Sequence, residues 1–211
     1  MVISRRPLRE QIRNEILSRL VRGDFPVGGR INEGQLADDL GVSRTPLREA
    51  LANLAQEGVL ELRPNRGYWL SPLTTAEVRE TYPVIGALEV LALRSSSPAD
   101  LVAAAPSLLT MADGMVIALP EEAAGVDDSW HEHLLRHCPN QRLLLLIRNQ
   151  KTVVHRYESA YFFAKGRIAE SAAQHRRIAE ALQAGDIDRA AAELRDNWEV
   201  GMRLLINLIE S

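Results

Sequence analysis

Two polar side chains with metal-binding chemistry share one face of a predicted helix in the C-terminal half of the chain. Asp127 and His131 are four residues apart, and Leu134, Leu135 and Cys138 continue near the same face. The face is therefore turned towards an apolar interior. A carboxylate and an imidazole placed in this way either bind a divalent metal or form a buried ion pair.

Two more polar side chains fall within the apolar stripes of later helices. His175 is in line with Ile178 and Leu182, and Asn197 is in line with Leu194. A carboxylate, two imidazoles and an amide that converge inside a helical bundle suit Zn²⁺, Ni²⁺ or Mn²⁺. Spacing alone favours the other interpretation, in which these are hydrogen-bonded core residues.

A rival histidine pair, His133 and His137, has the same spacing on the opposite side of the first of these helices. It lies there with Glu132 and Arg136, and we expect it to be solvated. Hydrolysis at the cluster would need a carboxylate that positions a base or a water molecule. Glu132 points elsewhere by helical phase, so we predict no catalytic residues and keep a metal-dependent hydrolase as a weaker alternative.

Basic side chains mark a second candidate site near the N-terminus. The stretch 36–51 predicts two short helices joined by a tight turn at Gly41, with the hydroxyl of Ser43 capping the second helix. Arg44, Thr45 and Arg48 lie on the opening turns of that helix, away from its leucines. A guanidinium binds guanine O6 and N7 bidentately or clamps a phosphate. The pattern predicts a helix-turn-helix whose second helix enters the major groove of DNA.

A hairpin follows this predicted recognition helix. Residues 59–62 and 68–70 are predicted strands, joined by a turn over residues 63–67. Arg66 and Gly67 lie at its tip, where glycine lets the backbone approach a phosphate closely. For the two helices, an amphipathic helical hairpin with solvated arginines is the plainer interpretation. DNA binding is favoured because a predicted leading helix, marked by Leu8, Ile12, Ile16 and Leu20, and this strand hairpin, which we call the wing, are in register with them.

The rest of the chain carries helical patterns and almost no strand signal. A boundary at Ser71-Pro72 predicts an N-terminal domain over 1–72 and a second domain over 73–211. Thr74 and Glu77 form a predicted capping box. The fold class is mainly α, a winged helix-turn-helix followed by an all-helical bundle. The helices of the bundle are predicted over 75–94, 98–118, 121–137, 141–164, 168–184 and 187–209.

Composition sets limits on the class of protein. The net charge is −3, but residues 1–72 hold 11 arginines and 9 acidic side chains, so this part is mildly basic. Few phosphate contacts per subunit are expected, and a dimer would be needed for useful affinity. The run 143–147 is too short for a membrane span and is assigned to the core. One cysteine and no leader pattern fit a reducing cytoplasm.

The motifs resemble a known family. Residues 8–71 resemble the winged helix of GntR-family bacterial regulators, through the runs 41–51, 57–59 and 66–67. Residues 75–211 resemble the FCD domain of the FadR subfamily, through Asp127-x-x-Trp-His131, 139–143 and 174–178. The resemblance implies DNA contacts at Arg44, Thr45, Arg48, Arg66 and Gly67. It also implies a divalent metal held by Asp127, His131, His175 and a fourth position at Asn197.

Three positions depart from the family pattern. Asn197 stands where the family has a histidine, Ile85 stands four residues before Glu89 where it commonly has an arginine, and Gly34 replaces a longer side chain. An amide is a weaker ligand than imidazole for zinc or nickel. With three metal ligands kept, a metal remains the favoured expectation. Residues that could line an effector pocket in this chain are Arg148, Arg156 and Tyr157, although a solvated or interface face is the plainer interpretation for each arginine.

The resemblance implies a transcription regulator, most often a repressor, that binds an operator as a homodimer. Its effector would be a small carboxylate metabolite, anchored by the metal in the helical domain. Ligand binding would change operator affinity by favouring one placement of the two winged helices. An architectural DNA-binding dimer with a degenerate sensor domain is the second alternative.

Overall fold

The computed structural model describes residues 8–21, 24–25, 28–71, 74–162 and 167–210, without the side chains at 120, 121, 152 and 155–162. The chain divides into two compact units, Met1–Pro72 and Leu73–Ser211. The described part is largely helical, with one two-stranded sheet in the first unit. The predicted fold class, mainly α with a winged helix-turn-helix and a helical bundle, is confirmed.

The N-terminal unit has three helices and a hairpin around one apolar core. Its elements are α1 (Leu8–Val21), α2 (Glu33–Leu40), α3 (Arg44–Gln56), β1 (Leu60–Arg63) and β2 (Gly67–Leu70). The strands pair antiparallel with Arg63 opposite Gly67, and Arg30 forms an isolated bridge to Trp69. Each strand lies within one residue of its predicted place. The core joins Ile16 of α1 to Leu51 of α3, both fully buried.

Local backbone chemistry fixes the turn between α2 and α3. Asn32 caps α2 by accepting from the backbone N–H of Gln35, and Gly41 ends it in the left-handed conformation at φ 62°. The predicted hydroxyl cap of α3 is wrong. Ser43 is the N-cap residue by backbone conformation, but its side chain makes no capping hydrogen bond. Pro46 stands at the third helical position, where a capped helix offers a backbone N–H, and proline has none.

The C-terminal unit is a bundle of six helices in the described residues. They are α4 (Thr75–Ser95), α5 (Pro98–Met115), α6 (Pro120–Leu135), α7 (Gln141–Phe162), α8 (Arg167–Gln183) and α9 (Ile187–Glu210). Thr74 accepts from the backbone N–H of Glu77, the first half of the predicted capping box. Asp186 caps α9 by accepting from the N–H of Arg189.

The six helices pack around a polar interior. α4 packs against α7 and α9, and α8 packs against α5 and α9, while α6 contacts α4, α5, α7 and α8. The run 143–147 is only partly core, contrary to expectation, because Leu145 and Leu146 are 44% and 52% exposed. A helix that is buried along one stripe must expose consecutive residues of a five-residue apolar run. Among the described helices, none combines the length and the hydropathy that a membrane crossing requires.

Candidate DNA-binding head and buried metal centre

The recognition helix α3 separates its apolar and basic side chains. Leu47 and Leu51 are fully buried in the core of the N-terminal unit, Met1–Pro72, which we call the head. Arg44, Thr45 and Arg48 are exposed on the other side of the same helix. The predicted contact residues on α3 are therefore exposed to solvent.

The wing places its own basic side chain at an exposed turn. Asn65 and Gly67 adopt positive φ values of 59° and 78°, so the chain reverses over three residues between β1 and β2. Arg66 is exposed at this turn, and Gly67 is half-buried at the start of β2. Arg63 packs its guanidinium 4.4 Å from the centroid of the Trp69 ring, which braces the two strands.

A buried acidic and histidine cluster occupies the interior of the bundle. Asp127 and His131 of α6 and His175 of α8 each offer a ligand atom, and these atoms lie within 4.8 Å of one another. Nε2 of His131 is 3.7 Å from Oδ2 of Asp127, and Nε2 of His175 is 3.3 Å from Oδ1 of Asp127. All three side chains are at least nine-tenths buried. The structure thus brings together three of the four predicted metal-binding residues.

Hydrogen bonds from neighbouring helices orient this cluster. Glu89 of α4 accepts from Nδ1 of His131 at 2.7 Å and from the indole N–H of Trp198 at 2.9 Å, through the same carboxylate oxygen. Ser171 donates to Oδ1 of Asp127 at 2.9 Å. Our expectation that no carboxylate supports the cluster is wrong. Glu89 does so, and its place in the buried stripe of Tyr82, Ile85 and Leu93 was a signal in the sequence.

Aromatic rings enclose the imidazole of His175. The Trp130 ring stacks on it with centroids 3.9 Å apart and planes within 1°, and the His131 ring meets it edge-on at 5.0 Å. Neither ring nitrogen of His175 has a hydrogen-bond partner among the described residues, although both are buried. An unsatisfied buried imidazole nitrogen costs free energy unless it binds something, and a metal is one such partner.

Burial is the largest influence on the ionisation of the side chains in this cluster. Burial lowers the pKa of His175 well below its ordinary value, so the imidazole is neutral, which is the form that binds metals. Burial raises the pKa of Asp127, against the attraction of His131 and Lys151. Burial also opposes the ionisation of Glu89, but His131 and Lys151 outweigh it and lower the pKa of that carboxyl. A divalent cation would stabilise the ionised form of Asp127.

A lysine that the sequence had not marked lies beside the cluster. Lys151 of α7 is 14% exposed, and its Nζ is 3.0 Å from Oδ1 of Asp128. The same atom lies 4.7 Å from the centroid of the Trp198 ring. Its place in the buried stripe of Leu143, Ile147 and Val154 was the signal that could have identified it. It supplies a buried positive charge close to the three predicted ligands.

The remaining predicted residues are half-buried, exposed or outside the described side chains. Asn197 is half-buried, and its Nδ2 donates to Oε1 of Gln174 at 2.8 Å. Its amide oxygen is the atom that a metal would use. Arg148 is exposed on α7. The side chains of Arg156 and Tyr157 fall outside the described residues.

We expected the rival histidine pair to be solvated, but it is partly buried. His133 is half-buried, and its Nε2 is 2.6 Å from the hydroxyl of Ser107 on α5. Burial, followed by the charges of Arg136 and His137, lowers the pKa of His133. Helical phase could not reveal this contact, because α5 covers part of the outer face of α6.

Comparisons with known proteins agree with both halves of this structure. Residues 8–69 match the model of the bacterial regulatory proteins of the gntR family, and residues 80–199 match that of the FCD domain. The chain is 30% identical over 171 residues to an HTH-type transcriptional regulator in an unstable DNA locus of Streptomyces ambofaciens, covering 80% of this chain and 72% of that one. It is 29% identical over 201 residues to the "Probable D-xylose utilization operon transcriptional repressor" of Paenarthrobacter nicotinovorans, covering 89% and 84%.

A solved structure supports the fold. The E. coli protein McbR/YncC superposes with a TM-score of 0.79 at 21% identity, over 99% of this chain and 100% of that one. The family models and these relatives describe regulators of transcription and not enzymes, which removes the hydrolase alternative. The chain belongs to the GntR family of bacterial regulatory proteins and is a DNA-binding transcription regulator with an FCD domain.

Proposed function

We propose that this regulator is a repressor whose operator affinity is set by a small carboxylate bound in its helical unit. Residues 1–72 would bind one operator half-site, and residues 73–211 would dimerise and hold the effector. The observation that carries the sensing role is the buried group of Asp127, His131 and His175. A regulator has no reaction for a bound cation to catalyse, so we assign the cation to effector binding. The repressor named for D-xylose utilization is a relative in which regulation has this sign.

The DNA contacts are assigned to the exposed residues of α3 and the wing. Arg44, Thr45 and Arg48 would read or clamp the major groove, while Arg66 and Gly67 would approach the backbone or the minor groove. One head offers few basic groups, so two heads on a pseudo-palindromic site would be required for specific binding. The chromosome lies in the bacterial cytoplasm, and we place the protein there.

A homodimer is supported by exposed apolar side chains on two helices of the bundle that pack together. Val84 and Leu91 of α4 are 48% and 53% exposed, and Leu145 and Leu146 of α7 are exposed to a similar degree. A second copy that covered them would remove this apolar area from water. Sedimentation equilibrium with Leu91→Asp and Leu145→Asp tests this face. We expect monomers, and an unchanged dimer would place the interface elsewhere.

The metal is assigned to Asp127, His131 and His175, with the Asn197 amide as the fourth ligand. The residues fit a divalent cation for two reasons. Within the described part of the chain both nitrogens of buried His175 lack hydrogen bonds, and Glu89 holds His131 by Nδ1, which leaves Nε2 for the metal. Two imidazoles, a carboxylate and an amide suit Zn²⁺, Ni²⁺ or Mn²⁺. A bound cation would supply a Lewis-acid anchor for the carboxylate of the effector.

Lys151 is the described basic side chain best placed to assist in anchoring an anion. The arginine of the family pattern is replaced by Ile85, which is fully buried. The Lys151 ammonium lowers the pKa of Glu89 and of His175, so its charge is felt on both sides of the cluster. Lys151 on α7 would therefore supply the positive charge that the family's arginine supplies from the first helix of the domain.

Binding-site selection from a random duplex pool, followed by thermal-shift measurements, tests the proposal as a whole. We expect one palindromic consensus bound at physiological salt, and a rise in Tm with a subset of small mono- and dicarboxylates that disappears after chelation. No preferred DNA site would overturn the proposed operator role. A preferred site without any stabilisation by carboxylates or divalent ions would favour the architectural dimer.

A further inference from the structure

Glu33 lies where three parts of the DNA-binding head meet. It is the first residue of α2, and its Oε2 accepts a 2.7 Å hydrogen bond from Nε of Arg48 on α3. Its other oxygen, Oε1, lies near Gly67 of the wing, because a Cβ added to Gly67 would be 3.3 Å from it. Nε of Arg30 lies 3.8 Å from that same point. The carboxylate of Glu33 thus bonds to the recognition helix and lies beside the base of the wing.

The two partners of this ion pair differ in exposure. The Glu33 side chain is 19% exposed, and that of Arg48 is 67% exposed. The carboxylate is therefore the inner, fixed partner, and the guanidinium extends beyond it towards solvent. Glu33 binds Nε of Arg48, and within the described residues the two Nη groups make no protein hydrogen bond.

The free edge of the guanidinium has the shape that guanine requires. Bidentate recognition of guanine uses two parallel N–H groups directed at O6 and N7. With Nε occupied by Glu33, the pair formed by Nη1 and Nη2 remains for this contact. We propose that Glu33 is a positioning residue that orients Arg48 for end-on recognition of one guanine in the operator half-site. This inference rests on the proposed DNA-contacting role of Arg48.

Two physical effects make this arrangement favour specificity. A long side chain held before binding loses less conformational entropy when it meets the base. A carboxylate beside the guanidinium also repels phosphates, so Arg48 gains less from a non-specific backbone contact. The expected consequence is a larger ratio of specific to non-specific affinity, with little gain in total affinity.

A double-mutant cycle on the full-length protein tests the inference. Binding-site selection and quantitative gel shifts are carried out for the unaltered chain, Glu33→Gln, Arg48→Ala, Arg48→Lys and the double variant Glu33→Gln with Arg48→Ala. Glu15→Gln is the matched control, because Glu15 pairs with Arg19 on α1 of the same head. Circular dichroism and Tm confirm that each variant is folded.

We expect Arg48→Ala to remove the preference for guanine at one position of each half-site, a loss of about tenfold or more. Glu33→Gln should weaken the preference at that same position while leaving non-specific affinity unchanged or higher. It should have no further effect once Arg48 is alanine. Arg48→Lys should lose the preference although it keeps the charge, and Glu15→Gln should keep it.

Three outcomes separate the failures. No effect of Arg48→Ala would show that the proposed recognition helix is misplaced. An effect of Arg48→Ala without any effect of Glu33→Gln would overturn the positioning role alone. An effect of Glu33→Gln at a different base pair, persisting in the double variant, would overturn it in favour of direct contact between Glu33 and a cytosine N4 amino group.

Discussion

Glu89 accepts a 2.7 Å hydrogen bond from Nδ1 of His131, across 42 residues of sequence. In the neutral imidazole, the form that binds metals, this bond determines the tautomer, because a carboxylate acceptor requires the proton on Nδ1. Nε2 is then left as the lone-pair nitrogen, and it is the nitrogen that faces Asp127. Glu89 therefore prepares His131 to act as a ligand before any metal arrives.

Replacing Glu89 by glutamine should weaken metal binding by about 10- to 100-fold, the usual effect of losing a carboxylate behind a ligating histidine. Glutamine keeps the shape of the side chain but not its charge. Its amide NH₂ group would take the place of Oε1, which is buried and has no hydrogen-bond partner among the described residues. Metal affinity is measured by competition with a chromogenic chelator. Glu80→Gln, at an exposed position of the same helix, is the control. Equal affinities in both variants would contradict the role given to Glu89.

Removal of both imidazoles should abolish metal binding. We expect His131→Ala with His175→Ala to contain less than a tenth of an equivalent of metal, because a single carboxylate and an amide bind Zn²⁺ or Ni²⁺ weakly (roughly an order of magnitude or more below a histidine site). Elemental analysis of the purified protein measures this. His133→Ala with His137→Ala controls for the loss of two histidines. A full equivalent of metal in the first variant would mean that the metal binds elsewhere.

Introduction of a fourth imidazole should tighten the site. Asn197→His should raise the affinity for Zn²⁺ or Ni²⁺ by at least about tenfold, or ~1.4 kcal/mol, since imidazole is the better ligand for both metals. Calorimetric titration of the metal-free protein measures the change. Asn207→His, at an exposed position of α9, is the control. If both variants bind as the unaltered chain does, Asn197 does not face the metal.

Loss of the ammonium of Lys151 should weaken effector binding and leave metal binding unchanged. Lys151→Met keeps the length of the side chain and its packing on the Trp198 ring but removes the charge. The Tm increase given by carboxylates should fall by half or more (on the order of 1 kcal/mol of binding free energy), as expected for one charged hydrogen bond. Metal content should stay at the level of the unaltered chain. An undiminished response to carboxylates would assign the anion to other residues.

The wing should contribute a contact that does not depend on sequence. Arg66→Ala should weaken binding to the selected operator and to random duplex by a similar factor. It should also reduce the slope of log K against log salt by about one unit per half-site, as expected for one lost phosphate contact. Arg9→Ala, which removes an exposed arginine of α1, is the charge-matched control. A change in base preference would show instead that Arg66 contacts base edges.

The sequence determined the order and type of the elements. Apolar spacing, together with cap and turn signals, predicted the recognition helix, the wing and the helices of the bundle, with most ends correct to within two residues. Signals for the ends were local, as with Gly41 at the end of α2 and Asp186 at the start of α9. Such signals act through backbone groups a few residues away, so they are visible in the chain itself.

The same reasoning identified Asp127, His131 and His175 but not the residues that support them. Two of the three lie on one helix, where a spacing of four residues fixes their proximity. Glu89 and Lys151 lie on other helices, and each was visible only as a charge within an apolar stripe. Ser43 was assigned a capping bond that its side chain does not make, and His133 was taken as solvated although Ser107 lies beside it.

Helical phase indicates which side of a helix faces inward, and from the sequence alone it identified Asp127, His131 and His175 as polar groups inside the bundle. Which of those groups meet depends on the rotation and height of one helix against another. The packing of large side chains decides this. The Trp198 side chain, for example, packs so closely on Gly86 that a Cβ added to Gly86 would lie 3.1 Å from the Cβ of Trp198. The contact between Glu89 and His131 is therefore a product of the tertiary structure, because no local interaction holds two atoms 42 residues apart within hydrogen-bonding distance.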